Sequence, residues 1–413
     1  PDMMNGGAWP APPGRYASTP DSKAILIAYE GKIERRPVDG SAAARIPFTA
    51  RLNLAVGPST RIGFREETGP VRAKLPQGTT PSPDGSRVAY AALGTPYVQP
   101  LPGAASLRPP VTGDPPSLPA WSPDGRRLAY VTWSETAGGA IWMIAADGSG
   151  AARKVSDLPA FYTHPSFTPD GKAILAVRSP AAARQHSSFE FGTVRPPEQV
   201  SIPSGGGAAR VVASGRLGGR AHFVRGDGSA AYLLGDEGLI SVDLASGAQH
   251  PVAAVKAQGY YFTDQLADAD DIRISPDGKW IAAQTSEQLY VAPLPQGERR
   301  EVDLTAPGSA GRKVTDLGAD FFEWRSDGSL IWSVGNYVQI LPDPGAPISG
   351  ERIELVAELP RARPDGSFLL RGARALTMAG GDKIIEDADI LVTGDPIAAI
   401  GPRGSFALPA GMP

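Results

Sequence analysis

The chain has 413 residues, 41% of them hydrophobic, with a formal net charge of −3 and no cysteine. Its length and apolar content suffice for a substantial core, and the near-neutral balance excludes the basic field that a phosphate-binding surface needs, so nucleic acid is not an expected partner. The 49 glycines and 42 prolines exclude a mainly helical architecture, the lack of cysteine excludes disulfides and thiolate metal sites, and no apolar run is long enough to span a bilayer.

Residues 1–14, PDMMNGGAWPAPPG, have neither the charged nor the apolar region of a signal peptide. Because the chain opens on proline, a leader removed or left off upstream is expected. The next stretch, TPDSKAILIAYEG from Thr19, is the first copy of a recurring pattern. After an interval that includes RLNLAVGPSTRIGFREETGPVRAKLP, which promises strands, Ser82-Pro83-Asp84-Gly85 runs into SRVAYAAL. The same plan recurs in WSPDGRRLAYVTW from Trp121, in Thr168-Pro169-Asp170-Gly171 before KAILAVRS, and in RGDGSAAYLLG from Arg225. It ends with Ser275-Pro276-Asp277-Gly278 before KWIAAQTS and with RSDGSLIWSVG from Arg325.

Each tetrapeptide reads as a turn: proline presets φ at the second position, aspartate suits the third, and glycine tolerates the fourth. The segment after each turn alternates by twos with both faces largely apolar, as in a strand buried between layers. In GGAIWMIAADGSGAARKVSD two more strands flank the hairpin signal Asp147-Gly148, so one repeat is a four-stranded meander. The turn aspartates Asp21, Asp84, Asp124, Asp170, Asp227, Asp277 and Asp327 are spaced by 63, 40, 46, 57, 50 and 50 residues. Such a period with four strands per copy predicts an all-β, WD-type β-propeller. Seven marks suggest seven blades, with six as the alternative if the first mark only completes a ring closed by C-terminal strands. Trp121 and Trp324 precede their marks in equivalent positions, which predicts packing between blades rather than ligand binding.

Two intervals are long. One holds the stretch from Arg51, and the other holds SPAAARQHSSFEFGTVRPPEQ from Ser179, where Arg184, His186, Phe189 and Phe191 combine a cation, a proton carrier and two aromatics. Those four residues are the candidates for a substrate entrance or an interface, since insertions in a rigid scaffold often carry binding. The remaining histidines are isolated: neither His164, His222 nor His250 has a partner at metal-pair spacing, so each reads as a surface or hydrogen-bonding residue. Asp270-Asp271 reads as a solvated pair, because neighbours along a strand face opposite ways.

The character changes after about Leu359. The last 50 or so residues read as two or three strands with turns at Gly380-Gly381 and Gly394-Asp395, too few to bury a core alone. The blade motif resembles the repeat of TolB-like propellers, which also occurs in tricorn-type and prolyl oligopeptidase-type peptidases. The tail, with LRGARALTM, IIEDADILVTGDPIAAIGP and LPAG, resembles the opening strands of the small β-sandwich of amidohydrolase-superfamily enzymes. Asp395-Pro396 departs from that pattern at a structural strand.

The resemblance implies a TolB-like propeller over residues 1–360, followed over 361–413 by the N-terminal strands of a composite β-sandwich. It implies a metal-dependent hydrolase of amide or other C–N bonds as the whole protein, periplasmic or extracellular. The partner would be a catalytic barrel segment in the same or a separate chain, holding a divalent metal, zinc first, on ligands that include a His-x-His pair. No such pair, Gly-x-Ser-x-Gly elbow or other catalytic set is recognisable in this sequence, so neither a metal nor another cofactor is expected on this chain. The propeller would then control substrate access or join subunits into a homo-oligomer. The alternative is a stand-alone TolB-like scaffold that binds proteins and does no chemistry; a third option, a prolyl oligopeptidase-type propeller, would lead into an α/β-hydrolase segment, which the tail does not resemble.

Overall fold

The computed structural model of the chain describes residues 16–29, 31–51, 53, 67–103, 105–111, 113–186, 197–224, 227–259, 265–296, 300–347, 352–363, 365–378 and 383–406. It is an all-β protein; the one helix among these residues is the five-residue Ala181–Gln185. No described helix is long and apolar enough to cross a membrane. Packing divides the chain into two compact units, Pro1–Glu67 and Thr68–Pro413.

In the first unit, Tyr16–Ser18, Ala24–Tyr29, Lys32–Pro37 and Ala44–Ile46 form a four-stranded antiparallel meander in sequence order. The turn before its second strand is built by side chains: Thr19 Oγ1 donates to Asp21 Oδ1 at 2.5 Å, and the Lys23 N–H donates to the same oxygen at 3.1 Å.

Among the described residues, the second unit contains six radial sheets, four of four strands, one of three and one of six. Their first strands are Gln77–Pro81, Pro116–Trp121, Ala160–Phe167, Gly218–His222, Asp271–Ile274 and Phe321–Trp324. Each first strand packs against that of the next sheet, and Phe321–Trp324 packs back against Gln77–Pro81. The sheets therefore stand radially around an axis as the blades of a closed β-propeller, with the first strands innermost. The marks tie neighbours together: Arg325 Nη2 donates to Gly85 O at 2.9 Å, Ser326 Oγ to Pro83 O at 2.6 Å, and Arg87 Nη2 to Gly125 O at 2.8 Å. Trp121 and Trp324 lie between blades as expected, their indole N–H groups donating to Thr80 O and Arg273 O of the preceding inner strands at 3.1 and 3.0 Å. The core runs between blades and holds fully buried Tyr90, Leu128, Ile174, Leu239 and Phe322, among others.

Among the described residues six sheets pack in a ring, and the sheet of the first mark lies in the other unit. Closure joins the two ends of the ring segment. Val71–Arg72 pairs antiparallel with Glu358–Leu359, and the Ala73 N–H donates to Ala357 O at 3.0 Å. Gln99, buried in the first blade, donates from Nε2 to Glu354 O at 2.7 Å and accepts at Oε1 from the Val356 N–H at 2.9 Å. Tyr90 OH adds a bond to Val356 O at 3.0 Å.

After the ring, Ser367–Leu376, Ile384–Thr393 and Ile397–Pro402 form a separate three-stranded meander. Its register pairs Phe368 with Val392, Leu370 with Ile390, and Ile390 with Ile400, so one face carries an apolar stripe. Phe368, Leu370 and Ile400 on that stripe are exposed.

Candidate functional site

The six inner strands bring to the axis side chains that lie far apart in sequence. Where these strands begin, the axis opens into a cavity of about 860 Å³ lined by Phe161, Arg184, Asp271, Arg273, Phe321 and Phe322, among others. At the opposite end a smaller mouth of about 290 Å³ is lined by residues including Trp121, Phe167, His222 and Trp324. Between them the axis narrows to a chamber of about 40 Å³ bordered by Thr79, Leu118, His164, Arg220 and Arg273.

The constriction is a network of ion pairs. Glu323 accepts from Arg273 Nη1 at 3.0 Å, its other oxygen lies 3.0 Å from His222 Nε2, and Arg220 Nη1 stands 3.7 Å away. Asp271 Oδ2 accepts from Arg273 Nε and Nη2 at 2.9 and 2.8 Å. Arg220 also donates to Thr80 Oγ1 at 2.9 Å and Pro119 O at 2.8 Å, and Arg273 lies 4.3 Å from the centroid of the Phe322 ring. Two guanidiniums face two carboxylates, so the buried charges balance, as burial demands. Burial pushes the Glu323 carboxyl up, but Arg273, His222 and Arg220 more than offset it and hold it at about 2. Burial lowers Arg220 to about 10.

His164 enters the axis by a strained route. It has φ 51 inside a β-bulge, and Gly78 and Leu118, each likewise six residues before its mark aspartate, have φ 66 and 49 in bulges of the first two inner strands. The left-handed conformation costs a non-glycine residue about 1–3 kcal/mol. Its Nδ1 is shut from solvent and has no hydrogen-bond partner among the described residues. Burial, with Arg273, Arg220 and His222 nearby, lowers its pKa to about 4, so the imidazole is neutral at neutral pH.

Of the four residues expected at an entrance, Arg184 lines the wide cavity, its guanidinium 5.5 Å from the centroid of the Phe161 ring. His186 comes just after the short helix, exposed, with its N–H donating to Ala182 O at 3.0 Å. Phe189 and Phe191 lie outside the described residues. Two readings are corrected. His222 is hydrogen-bonding, one of the two roles expected, but it and His164 are members of one cluster at the axis rather than isolated, and Asp271 is an ion-pair partner rather than a solvated carboxylate; Asp270 is exposed. The sequence signal was a charged or polar residue interrupting an apolar inner strand a few residues before its mark, as in GRAH, DIRI and FFEW.

Among the described residues, no three histidine or carboxylate side chains converge as metal ligands. The carboxylates at the axis are already engaged by guanidiniums, so this cluster does not fit the divalent metal that the tail's resemblance implies.

No family profile matches the chain. Over 163 residues, 40% of its length, it is 27% identical to an uncharacterized peptidase, YuxL, of Bacillus subtilis (strain 168), and it spans about a fifth of that protein. TolB from Acinetobacter baumannii superposes with a TM-score of 0.44 at 16% identity, covering 84% of this chain and 79% of that one. The tricorn protease gives a TM-score of 0.42 at 11% identity, covering 82% and 39% respectively. The propeller assignment rests on the closed ring of six sheets itself.

Proposed function

We propose that this chain is the non-catalytic propeller portion of a metal-dependent amidohydrolase that acts on amide or other C–N bonds outside the cytoplasm. The observation that carries this reading is the apolar stripe of Phe368, Leu370, Ile390, Val392 and Ile400 on the sheet after the ring. A three-stranded sheet with one exposed apolar face needs a second layer. The sequence of these strands resembles the opening of the amidohydrolase sandwich, whose remaining strands would supply that layer and fix the ring beside a barrel. A metal bound in the barrel would generate hydroxide at neutral pH. Within the expected span of 1–360, residues 68–360 would serve as the propeller ring, and 361–413 as the shared sandwich strands. Because Arg220, Arg273 and Glu323 shut the axis, substrate selection would act at the wide mouth with Arg184 rather than by passage through the ring.

The test compares this 413-residue chain with the full product of its gene. The reading requires that the full product hold a divalent metal and hydrolyse C–N bonds while the 413 residues do neither. A metal-free, inactive full product would leave the protein-binding scaffold. The match to YuxL favours a second reading, a peptidase propeller. In its prolyl oligopeptidase-type form that reading requires a serine nucleophile, and inhibition of the full product by a serine-reactive phosphonate but not by a chelator would select it.

A further inference from the structure

The sheet of residues 16–46 has the build of a propeller blade. Its segment Thr19-Pro20-Asp21-Ser22-Lys23-Ala24-Ile25-Leu26 differs at one position from Thr168-Pro169-Asp170-Gly171-Lys172-Ala173-Ile174-Leu175 of the third blade. The two copies fold alike. Thr168 Oγ1 donates to Asp170 Oδ1 at 2.7 Å where Thr19 Oγ1 donates to Asp21 Oδ1 at 2.5 Å, and Ala173 and Ala24 both donate to the threonine oxygen at 3.1 Å. Even the one difference is conformationally silent, since Ser22 has φ 54 and Gly171 φ 68. The strand order, a meander of four, is also shared.

The surroundings are what differ. Ile174 and Leu175 are 0% exposed, because neighbouring blades cover both faces of their strand, whereas Ile25, Leu26 and Ile27 in the first unit are only half-buried. Apolar side chains lie on both faces: Ile25 and Ile27 on one, Leu26, Ala28 and Ile33 on the other, by their cross-strand register. A strand built for two covers has neither complete. Within the ring the inner strands and the seam are already paired, since Phe321–Trp324 packs on Gln77–Pro81 and Val71–Arg72 pairs with Glu358–Leu359.

We propose that the Tyr16–Ile46 sheet is one blade of a second β-propeller, and that its faces are covered by further blades of the same repeat encoded ahead of residue 1. The cover established for this interface in the ring is another blade, which argues for that occupant over an unrelated partner. Residues 1–15 are too few to supply one, because the marks of successive blades are at least 40 residues apart.

The test is hydrogen exchange at residues 24–37 in the 413-residue chain and in the full gene product. The proposal expects these amides to exchange at least about tenfold more slowly in the full product, the protection that burial in a cooperative unit confers. It also expects Leu26→Asp to abolish that gain while leaving the exchange of residues 127–132 in the ring unchanged. Equal exchange in the two proteins, or a gene product without blade repeats ahead of residue 1, overturns the proposal. So does a concentration-dependent dimer of the 413-residue chain whose formation protects 24–37 and is lost in Leu26→Asp, since a second copy would then be the cover.

Discussion

His222 on the fourth inner strand lies 3.0 Å from Glu323 on the sixth, across the axis, and both side chains are about 90% buried. The fifth blade's Arg273 reaches the same carboxylate, so one acid ties three blades. Replacing Glu323 by glutamine leaves Arg220 buried without its counter-ion and Arg273 with Asp271 alone, and such a broken pair costs about 3–5 kcal/mol. Denaturant unfolding of Glu323→Gln should show that loss, and an unchanged midpoint would mean that the network contributes nothing. The pH dependence stems from a carboxyl held at about 2, below its ordinary 4.5. Its contribution is complete above pH 4.5 and disappears as the pH falls toward about 2, so wild type should lose more stability over that window than the variant.

His164 sets a second, higher window. A histidine kept neutral in the folded state, with its pKa lowered from 6.5 to about 4, favours folding fully above pH 6.5, and that contribution is lost as the pH falls toward 4. The full shift corresponds to roughly 3 kcal/mol at about 1.4 kcal/mol per pKa unit. His164→Gly should flatten the stability profile between those limits and also relieve the left-handed strain. An identical slope in the variant would place the titrating group elsewhere.

Ring closure can be tested at Gln99, whose amide satisfies Glu354 O and the Val356 N–H. Gln99→Leu removes the partner of both backbone groups in a part-buried seam, at up to about 1–3 kcal/mol each. Proteolysis between residues 354 and 363 should accelerate accordingly. If the cleavage rate stays that of wild type, the seam is not what closes the ring.

The contrast between Gln99 and the marks explains what was legible in the sequence. Ser122, Asp124 and Gly125 specify their turn through bonds among neighbours, so blade strands and their order could be read directly. Blade number could not, because it depends on contacts such as Gln99 to Val356, 257 residues apart, and because Thr19-Pro20-Asp21 builds the same local turn in a sheet outside the ring. The axis cluster was hidden for the same reason. His222 and Glu323 are separated by 101 residues, and only the blade register shows that both point inward. Arg184 stood out as part of an insertion, whereas Arg220 and Arg273 looked like ordinary strand residues.

Gly125 tests the turn chemistry itself. Its φ is 66, and an added Cβ would stand 3.4 Å from Arg87 Nη2, the group that bonds Gly125 O from the preceding blade. Gly125→Val combines backbone strain with displacement of that arginine, and the melt should fall by the equivalent of roughly 1–3 kcal/mol. Gly125→Asn, whose side chain tolerates the left-handed region, should lose less. Equal losses in both variants would assign the effect to the arginine contact rather than to φ.

The sheet after the ring gives the last prediction, because a stripe waiting for a cover and a stripe that is simply exposed respond oppositely to polar substitution. In the 413-residue chain Leu370 and Ile400 are 49% and 39% exposed, on one face with Phe368. Leu370→Ser and Ile400→Ser there truncate side chains that are only about half buried, so each should cost about 1 kcal/mol at most. They should also reduce self-association at high concentration, since a sheet with an apolar face and free edges tends to pair with its neighbours. In the full gene product a sandwich partner would bury the same side chains, and truncating a buried leucine or isoleucine costs about 2–5 kcal/mol. Parallel melts of the pair in both proteins separate the cases. Small effects in both would mean that the stripe stays in solvent, and the sandwich reading would fail with it.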